Sequence, residues 1–333
     1  MAFMQHNSAM HLLIPFAAPA GPDCLAAIAQ LQLPHLRALL QRLTLTQKHQ
    51  SKLSDLTPLH QRLKITLAGT PMHDGLTGQA ARDAHTRGLA NPGLPEAAQG
   101  WAWITPCHWQ IHADHVHMTN PAALQLRAQE SLALMQAMQG YFAEDGITLH
   151  AHTDSTWLAQ GAVFNDLPTA SLERVVGASV DDWINRQAQA KLLRRLQNEM
   201  QMLLYTHPLN EARAERGLPV VNSFWVSGTG TPHTNLANSA ALKQDNALQT
   251  AALADDAPAW LAAWQQLDDT LMRNGLALSQ SNPDFQLTLC GQNTAHTYAN
   301  VRQPWWQRAQ KWLQNTATSV HLQQLVSPDT LHP

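Results

Sequence analysis

Residues 194–230 read RRLQNEMQMLLYTHPLNEARAERGLPVVNSFWVSGTG, and their pattern decides both the fold class and the place where a function would sit. Leu192, Leu193, Leu196, Met200, Leu203 and Leu204 fall on one arc at about 100° per residue, which predicts an amphipathic helix. Arg194, Asn198, Gln201 and Tyr205 follow one another on the opposite side, with Arg195 and Glu199 an i,i+4 pair on the flank. Lys and Glu dominate most solvated helix faces, whereas Arg, Asn, Gln and Tyr offer directional hydrogen bonds. The chain then reaches His207-Pro208, and a proline disfavours helical geometry at the residue before it, which fixes a bend at His207. Residues 220–226 are β-branched and aromatic and read as a strand, with SGTG at 227–230 as the loop after it.

The same alternation continues outward. Residues 11–16 read as a first strand. Residues 24–43 read as a helix split by Pro34, and a further helix lies near 60–67. Residues 101–118 suit strands with a turn at Ala113-Asp114, and a helix at 121–140 starts after Asn120. Strands at 146–152 and 157–162 precede a capping-box-like start at 179–182, from which a long helix runs to about Tyr205. A helix at 257–272, a strand at 286–290 and a helix at 304–314 with Trp305, Trp306 and Trp312 complete the pattern. Interleaved strands and helices predict an α/β fold with a mixed sheet flanked by helices. Residues 1–150 form an N-terminal α/β part and 151–333 a C-terminal part carrying the polar block, packed as one unit.

Composition narrows the function. The chain has 333 residues, 44% of them hydrophobic, enough for a substantial core without staples. Charged residues make up 14%, against the usual quarter or so, and the net charge is −3. That balance disfavours nucleic acid and anionic membrane as partners. The three cysteines, Cys24, Cys107 and Cys290, show no CxxC spacing, which fits a reducing, cytoplasmic setting. The apolar run near the N-terminus lacks a preceding Lys or Arg, is interrupted by Pro15 and Pro19, and falls short of the ~20 residues of a membrane span.

A ligand site follows from the density of polar groups in the opening stretch. Arg194, Asn198, Glu199 and Gln201 form one wall, His207, Asn210, Arg213 and Asn222 another, and Ser227, Gly228, Thr229 and Gly230 the floor. Arginine suits bidentate capture of carboxylate or phosphate. SGTG reads as a tight turn, with an anion-binding nest of backbone N–H groups as the sharper alternative. Three rivals stand beside it. His108, His112, His115 and His117 with Asp114 suggest a metal. Cys107-His108 suggests a thiol nucleophile. Trp305-Trp306 with Arg302 and Arg308 suggests an aromatic-basic patch for single-stranded nucleic acid.

His207-Pro208-Leu209-Asn210, Arg213, Gly217, Pro219, Asn222, Trp225, Gly228 and Gly230 together resemble a segment of the archaeal-type cofactor-independent phosphoglycerate mutases of the alkaline-phosphatase superfamily. PCHW (106–109), LPTASLERVVG (167–177) and RRLQNEMQMLL (194–204) are similar to a bacterial phosphoglycerate-mutase-like family, also called RpfE-type regulatory protein. The resemblance implies an alkaline-phosphatase-like core with an inserted subdomain. It also implies two divalent metals, such as manganese or zinc, held by a DG-containing motif and a late Asp/His cluster, with a Ser or Thr nucleophile. Here the first strand ends without an acid, and the Asp-Gly pairs are Asp74-Gly75 and Asp145-Gly146. Residues 287–303 offer His296 and no Asp or Glu. The expectation is therefore a degenerate, regulatory relative without a cofactor, binding a phosphorylated or other anionic small molecule, or a protein partner. The alternatives are an active metal-dependent mutase or phosphatase, and a partner- or single-strand-binding module linked to DNA repair.

Overall fold

The computed structural model describes residues 10–89, 100–113, 115–231, 242–301 and 317–326. Its strands are β1 (His11–Ala18), β2 (Thr44–Gln50), β3 (Trp101–Cys107), β4 (Trp109–Ile111), β5 (Val116–Met118), β6 (Thr148–Thr153), β7 (Thr156–Gln160), β8 (Ser223–Gly230), β9 (Leu242–Gln244), β10 (Gln286–Gly291) and β11 (Thr294–Ala299). Its principal helices are α1 (Pro22–Ala27), α2 (Pro34–Arg42), α3 (Leu59–Leu67), α4 (Gln79–Thr86), α5 (Ala128–Glu144), α6 (Leu172–Val175), α7 (Lys191–Tyr205), α8 (Pro208–Glu215), α9 (Gln249–Leu253), α10 (Ala257–Leu267) and α11 (Arg273–Ser281). Among the described residues, no helix is long and apolar enough to cross a membrane.

The chain divides into two compact units. One takes its residues from Met1–Ser54, Pro58–Thr70 and Leu236–Pro333, the other from Asp55–Thr57 and Pro71–Asn235. The sequence pattern suggests a single cut at residue 150; the contacts divide the chain discontinuously, the second unit being an insertion in the sequence of the first.

The first unit is a mixed sheet flanked by helices, ordered β2-β11-β10-β1-β9, with β1 parallel to both β9 and β10 and the outer pairs antiparallel. Alternation along β1 explains the two helical layers. Leu12 and Ile14 enter the core formed with α1, α2, α10 and α11, while Leu13 packs against Leu59 and Leu63 of α3. Pro15 has no N–H for the ladder, and the register shifts between Ile14 and Ala18, with Phe16 at φ +58°. Between α10 and α11 the helix widens into a π turn, Asp268–Met272. Asp268 is 2% exposed and accepts the backbone N–H groups of His35 (3.0 Å) and Leu36 (2.7 Å) at the start of α2. It thus supplies from a distant helix the cap that Leu33 cannot provide locally. A row of hydrogen bonds crosses four strands of the sheet: His11 Nε2 to Thr288 Oγ1 (2.7 Å), Thr288 to Thr297 Oγ1 (2.7 Å), and Thr297 to His49 Nε2 (3.1 Å).

The second unit is an antiparallel sheet, β6-β7-β3-β8, with the β4-β5 hairpin beside it. One face carries α5 and α7, whose Leu134, Met138, Leu193 and Leu196 join Ile104, Trp157 and Phe224. The other buries Ala80, Ala81 and Ala84 of α4 against Trp101 and Leu158.

Several expectations change in detail. The long helix begins at Lys191 rather than near 179. Residues 180–182 and 188–190 form separate 3-10 turns, because the Asn185 side chain bonds Gln187 N and Pro168 O and holds the connection non-helical. The helix expected at 121–140 starts as a 3-10 turn, breaks at Gln125 (φ +47°) and resumes as α5. The strand expected at 220–226 is β8, three residues later, so SGTG is the end of the strand and not a loop. The helix expected at 304–314 lies outside the described residues.

Two outcomes follow for the first unit. Asp268→Ala leaves the buried Leu36 N–H and the part-buried His35 N–H without their acceptor and should lower unfolding stability by about 1–3 kcal/mol, read by chemical denaturation. Burial, with a smaller contribution from His49, pushes the His11 imidazole down to about 4. Its neutral form is thus favoured in the fold, and stability falls as pH drops from about 6.5, the unfolded value, through about 4. His11→Gln should flatten that decline, measured by denaturation at pH 7 and at about pH 4.5.

Candidate functional site

Helix α7 lies on β8 because its leucine arc needs an apolar partner and β8 is buried along its whole length. Gln197 faces inward and donates Nε2 to the Phe224 carbonyl at 3.1 Å, joining helix to strand. Beside that contact is a pocket of about 370 Å³, mouth included, bounded by α7, β8 and residues 167–190. Trp183, Asn185, Arg194, Gln197 and Trp225 line it along with smaller, mostly apolar side chains. Trp225 is held by its indole N–H, which donates to the Ala170 carbonyl at 2.9 Å. The Arg174 guanidinium carbon sits 5.9 Å from the centroid of the Trp183 ring, within cation–π range.

Arg194 is half-buried, and its Nη1 donates to the carbonyl oxygens of Asn185 and Gln187. Its Nε and Nη2 have no hydrogen-bond partner among the described residues, nor does Gln197 Oε1. The pocket thus combines apolar walls with a few placed polar groups, the usual make-up of a small-molecule site.

The other residues of the expected site do not gather here. Asn198 is exposed, Gln201 is half-buried outside the pocket, and Glu199 pairs with Arg195 at 3.6 Å. His207 caps α8, its Nδ1 accepting from Leu209 N at 3.2 Å, which confirms the fixed bend. Asn210 is buried with three bonds, to Leu204 O, Val221 O and Val221 N. Asn222 exchanges two bonds with the Trp109 backbone, at 2.7 and 2.8 Å, like an extra strand residue. Arg213 has no exposed side-chain surface and donates to Glu130 (2.9 Å), Pro219 O (3.0 Å) and Leu124 O. Burial draws its guanidinium below the ordinary arginine value, with Glu130 acting against that.

The floor is also structural. Ser227 and Gly230 pair with β3, so this backbone belongs to the sheet and no nest forms. Thr229 Oγ1 donates to Leu167 O at 2.6 Å and contacts Gly75 O and Thr169 Oγ1. At Gly228 (φ +68°) a Cβ would come within 2.5 Å of the Trp103 ring, so glycine there permits a close approach within the protein. Conversely, Trp183, Gln197 and Trp225 line the pocket, a placement outside the walls and floor expected from the sequence. The signal available for Gln197 was an amide on the leucine side of a helix.

The metals implied by the mutase resemblance do not fit the residues described. Both Asp74 carboxylate oxygens accept backbone N–H groups, of Leu56 and Thr57, at 2.9 Å. Asp145 pairs with Arg195, and His296 lies buried in β11 opposite Lys48 of β2. Among the described residues, no group of three or more His, Cys, Asp or Glu could hold a metal ion. In the histidine hairpin, His112 stacks on His115 at 4.8 Å and meets His117 edge-on at 6.1 Å, while His108 bonds Val220 O. Cys107 is fully buried, and burial pushes its thiol far above the ordinary value, against the nucleophile reading. Asp114, Arg302, Trp305, Trp306 and Arg308 lie outside the described residues.

Stability separates the two arginines. Arg213→Ala strips a buried ion pair of one partner and should cost on the order of 3–5 kcal/mol in chemical denaturation. Arg194→Ala should cost no more than about 1.5 kcal/mol.

No protein-family model and no curated protein matches the chain. Among solved structures, it is similar to the PH0037 protein from Pyrococcus horikoshii, at 12% identity and a TM-score of 0.41, covering 88% of each chain. It is also similar to the cofactor-independent phosphoglycerate mutase from Thermoplasma acidophilum, at 11% identity and a TM-score of 0.35, covering 88% of this chain and 90% of that one. Similarity at these scores assigns neither an activity nor a site.

Proposed function

We propose that the chain is a binding protein of mutase-like descent, in the manner of the RpfE-type regulatory proteins, whose pocket between α7 and β8 holds a small anionic ligand. The observation that supports this reading is the Arg194 guanidinium, anchored through Nη1 at the pocket with its remaining edge unpaired. An anchored guanidinium loses little further freedom when an anion arrives, which favours binding. The output is regulatory rather than metabolic: the carboxylates of Asp74 and Asp145 are committed to internal partners, and among the described residues no nucleophile beside a base lines the same pocket. The cell compartment proposed is the cytoplasm. An alkaline-phosphatase-like ancestry for the first unit belongs to the same proposal, supported by a mixed sheet whose sequence is interrupted by an inserted unit.

Thermal-shift screening of wild type and Arg194→Ala against phosphorylated metabolites and organic acids tests the reading. At least one anion should raise the melting temperature of wild type and leave the variant unmoved, since a ligand that binds only the folded state stabilises it by mass action. Equal responses across the whole panel would defeat it. Manganese- or zinc-dependent turnover of phosphoglycerate would instead favour an active enzyme.

A further inference from the structure

We infer that the pocket takes a flat aromatic acid of one or two rings carrying a single carboxylate; this rests on the proposed anion-binding reading and narrows its ligand. Three observations lead there. First, Arg194 is the single charged residue among those lining the pocket. One guanidinium balances a monocarboxylate, whereas a phosphate dianion calls for further cations or backbone N–H groups. The backbone N–H groups of SGTG belong to β8 and form no anion nest.

Second, the unpaired edge of Arg194 has a particular shape. With Nη1 committed to Asn185 and Gln187, what remains is the Nε–Nη2 edge, two parallel N–H groups spaced like the two oxygens of a carboxylate. The same edge of Arg42 converges on one carbonyl, Ser279 O, at 3.1 and 3.0 Å, which shows how it grips an acceptor.

Third, the walls suit a ring. The indoles of Trp183 and Trp225 both line the pocket, and each is fixed, one under Arg174 and the other through its bond to Ala170. Aromatic side chains favour aromatic partners beyond the area they bury. The pocket is small: the space open to the centre of a water-sized sphere is about 40 Å³, and about 370 Å³ is reached only with the open mouth included, which limits the ring system to one or two rings at most. Gln197 Oε1 adds an acceptor for an N–H or O–H on the ring.

Isothermal titration of the full chain with indole-3-carboxylate, benzoate, cyclohexanecarboxylate, neutral indole, inorganic phosphate and 3-phosphoglycerate is the test. Indole-3-carboxylate should bind, and both cyclohexanecarboxylate and indole should bind at least tenfold more weakly. Arg194→Ala and Arg194→Lys should each lose tenfold or more, because lysine keeps the charge but not the fork. Circular dichroism of both variants checks that they remain folded. If phosphate or 3-phosphoglycerate binds more tightly than indole-3-carboxylate and depends on Arg194, the aromatic-acid inference falls and the anion site stands. Indole-3-carboxylate binding that Arg194→Ala leaves unchanged also overturns the inference. No binding by any of these anions overturns both.

Discussion

A guanidinium with no exposed surface must satisfy its donors from within, and Arg213 does so with partners drawn from three places in the sequence. It reaches Leu124 O in the 3-10 turn, Glu130 in the first turn of α5, and Pro219 O just before β8. Glu130 also accepts from Arg127 N and Arg216, so its carboxylate is held below its ordinary value although burial alone would raise it. The entry into β8 is thereby tied to the start of α5. Where β8 begins, α7 must lie to bury its leucines, and the pocket follows from that placement. A buried ion pair of this kind costs desolvation to form, and loss of one partner leaves the other charge buried and uncompensated.

The sequence carried the architecture because periodicity is local. The leucine arc of α7, the proline at the start of α2 and the alternation in β1 each report on a few neighbouring residues, and each element formed where its pattern lay. Boundaries moved where a residue inside the expected helix took a non-helical arrangement: Asn185 bonds Gln187 N and Pro168 O and delays α7, and Gln125, at φ +47°, interrupts the helix before α5. The chain pairings of the sheets were beyond local pattern altogether.

The site was legible only in part, for a related reason. Residue type shows that Arg213, Asn210 and Asn222 will form directional hydrogen bonds, but not with what. Arg213 meets Leu124 across 89 positions and Asn222 meets Trp109 across 113. Groups that suit a ligand equally suit a backbone brought alongside, and in a fold with few Lys and Glu residues they became its internal fasteners. Arg194 differs from them in one respect: its neighbours in space use only one of its nitrogens.

The interrupted course of the first unit bears on how this chain acquires its structure during synthesis. Strand β1 is made before the inserted unit, yet both of its parallel neighbours, β9 and β10, are specified more than 220 residues later. The described strands of the inserted unit, β3 to β8, lie between those points. Order of emergence therefore lets the inserted unit close while the apolar β1, with Leu12, Leu13 and Ile14, still has an unpaired edge on each side. An early-closing insertion shortens the effective loop that β1 must bridge, which eases the entropy of its late pairing. Until then, β1 is open to wrong partners, and its early break at Pro15 and Phe16 limits how long a strand it can offer them.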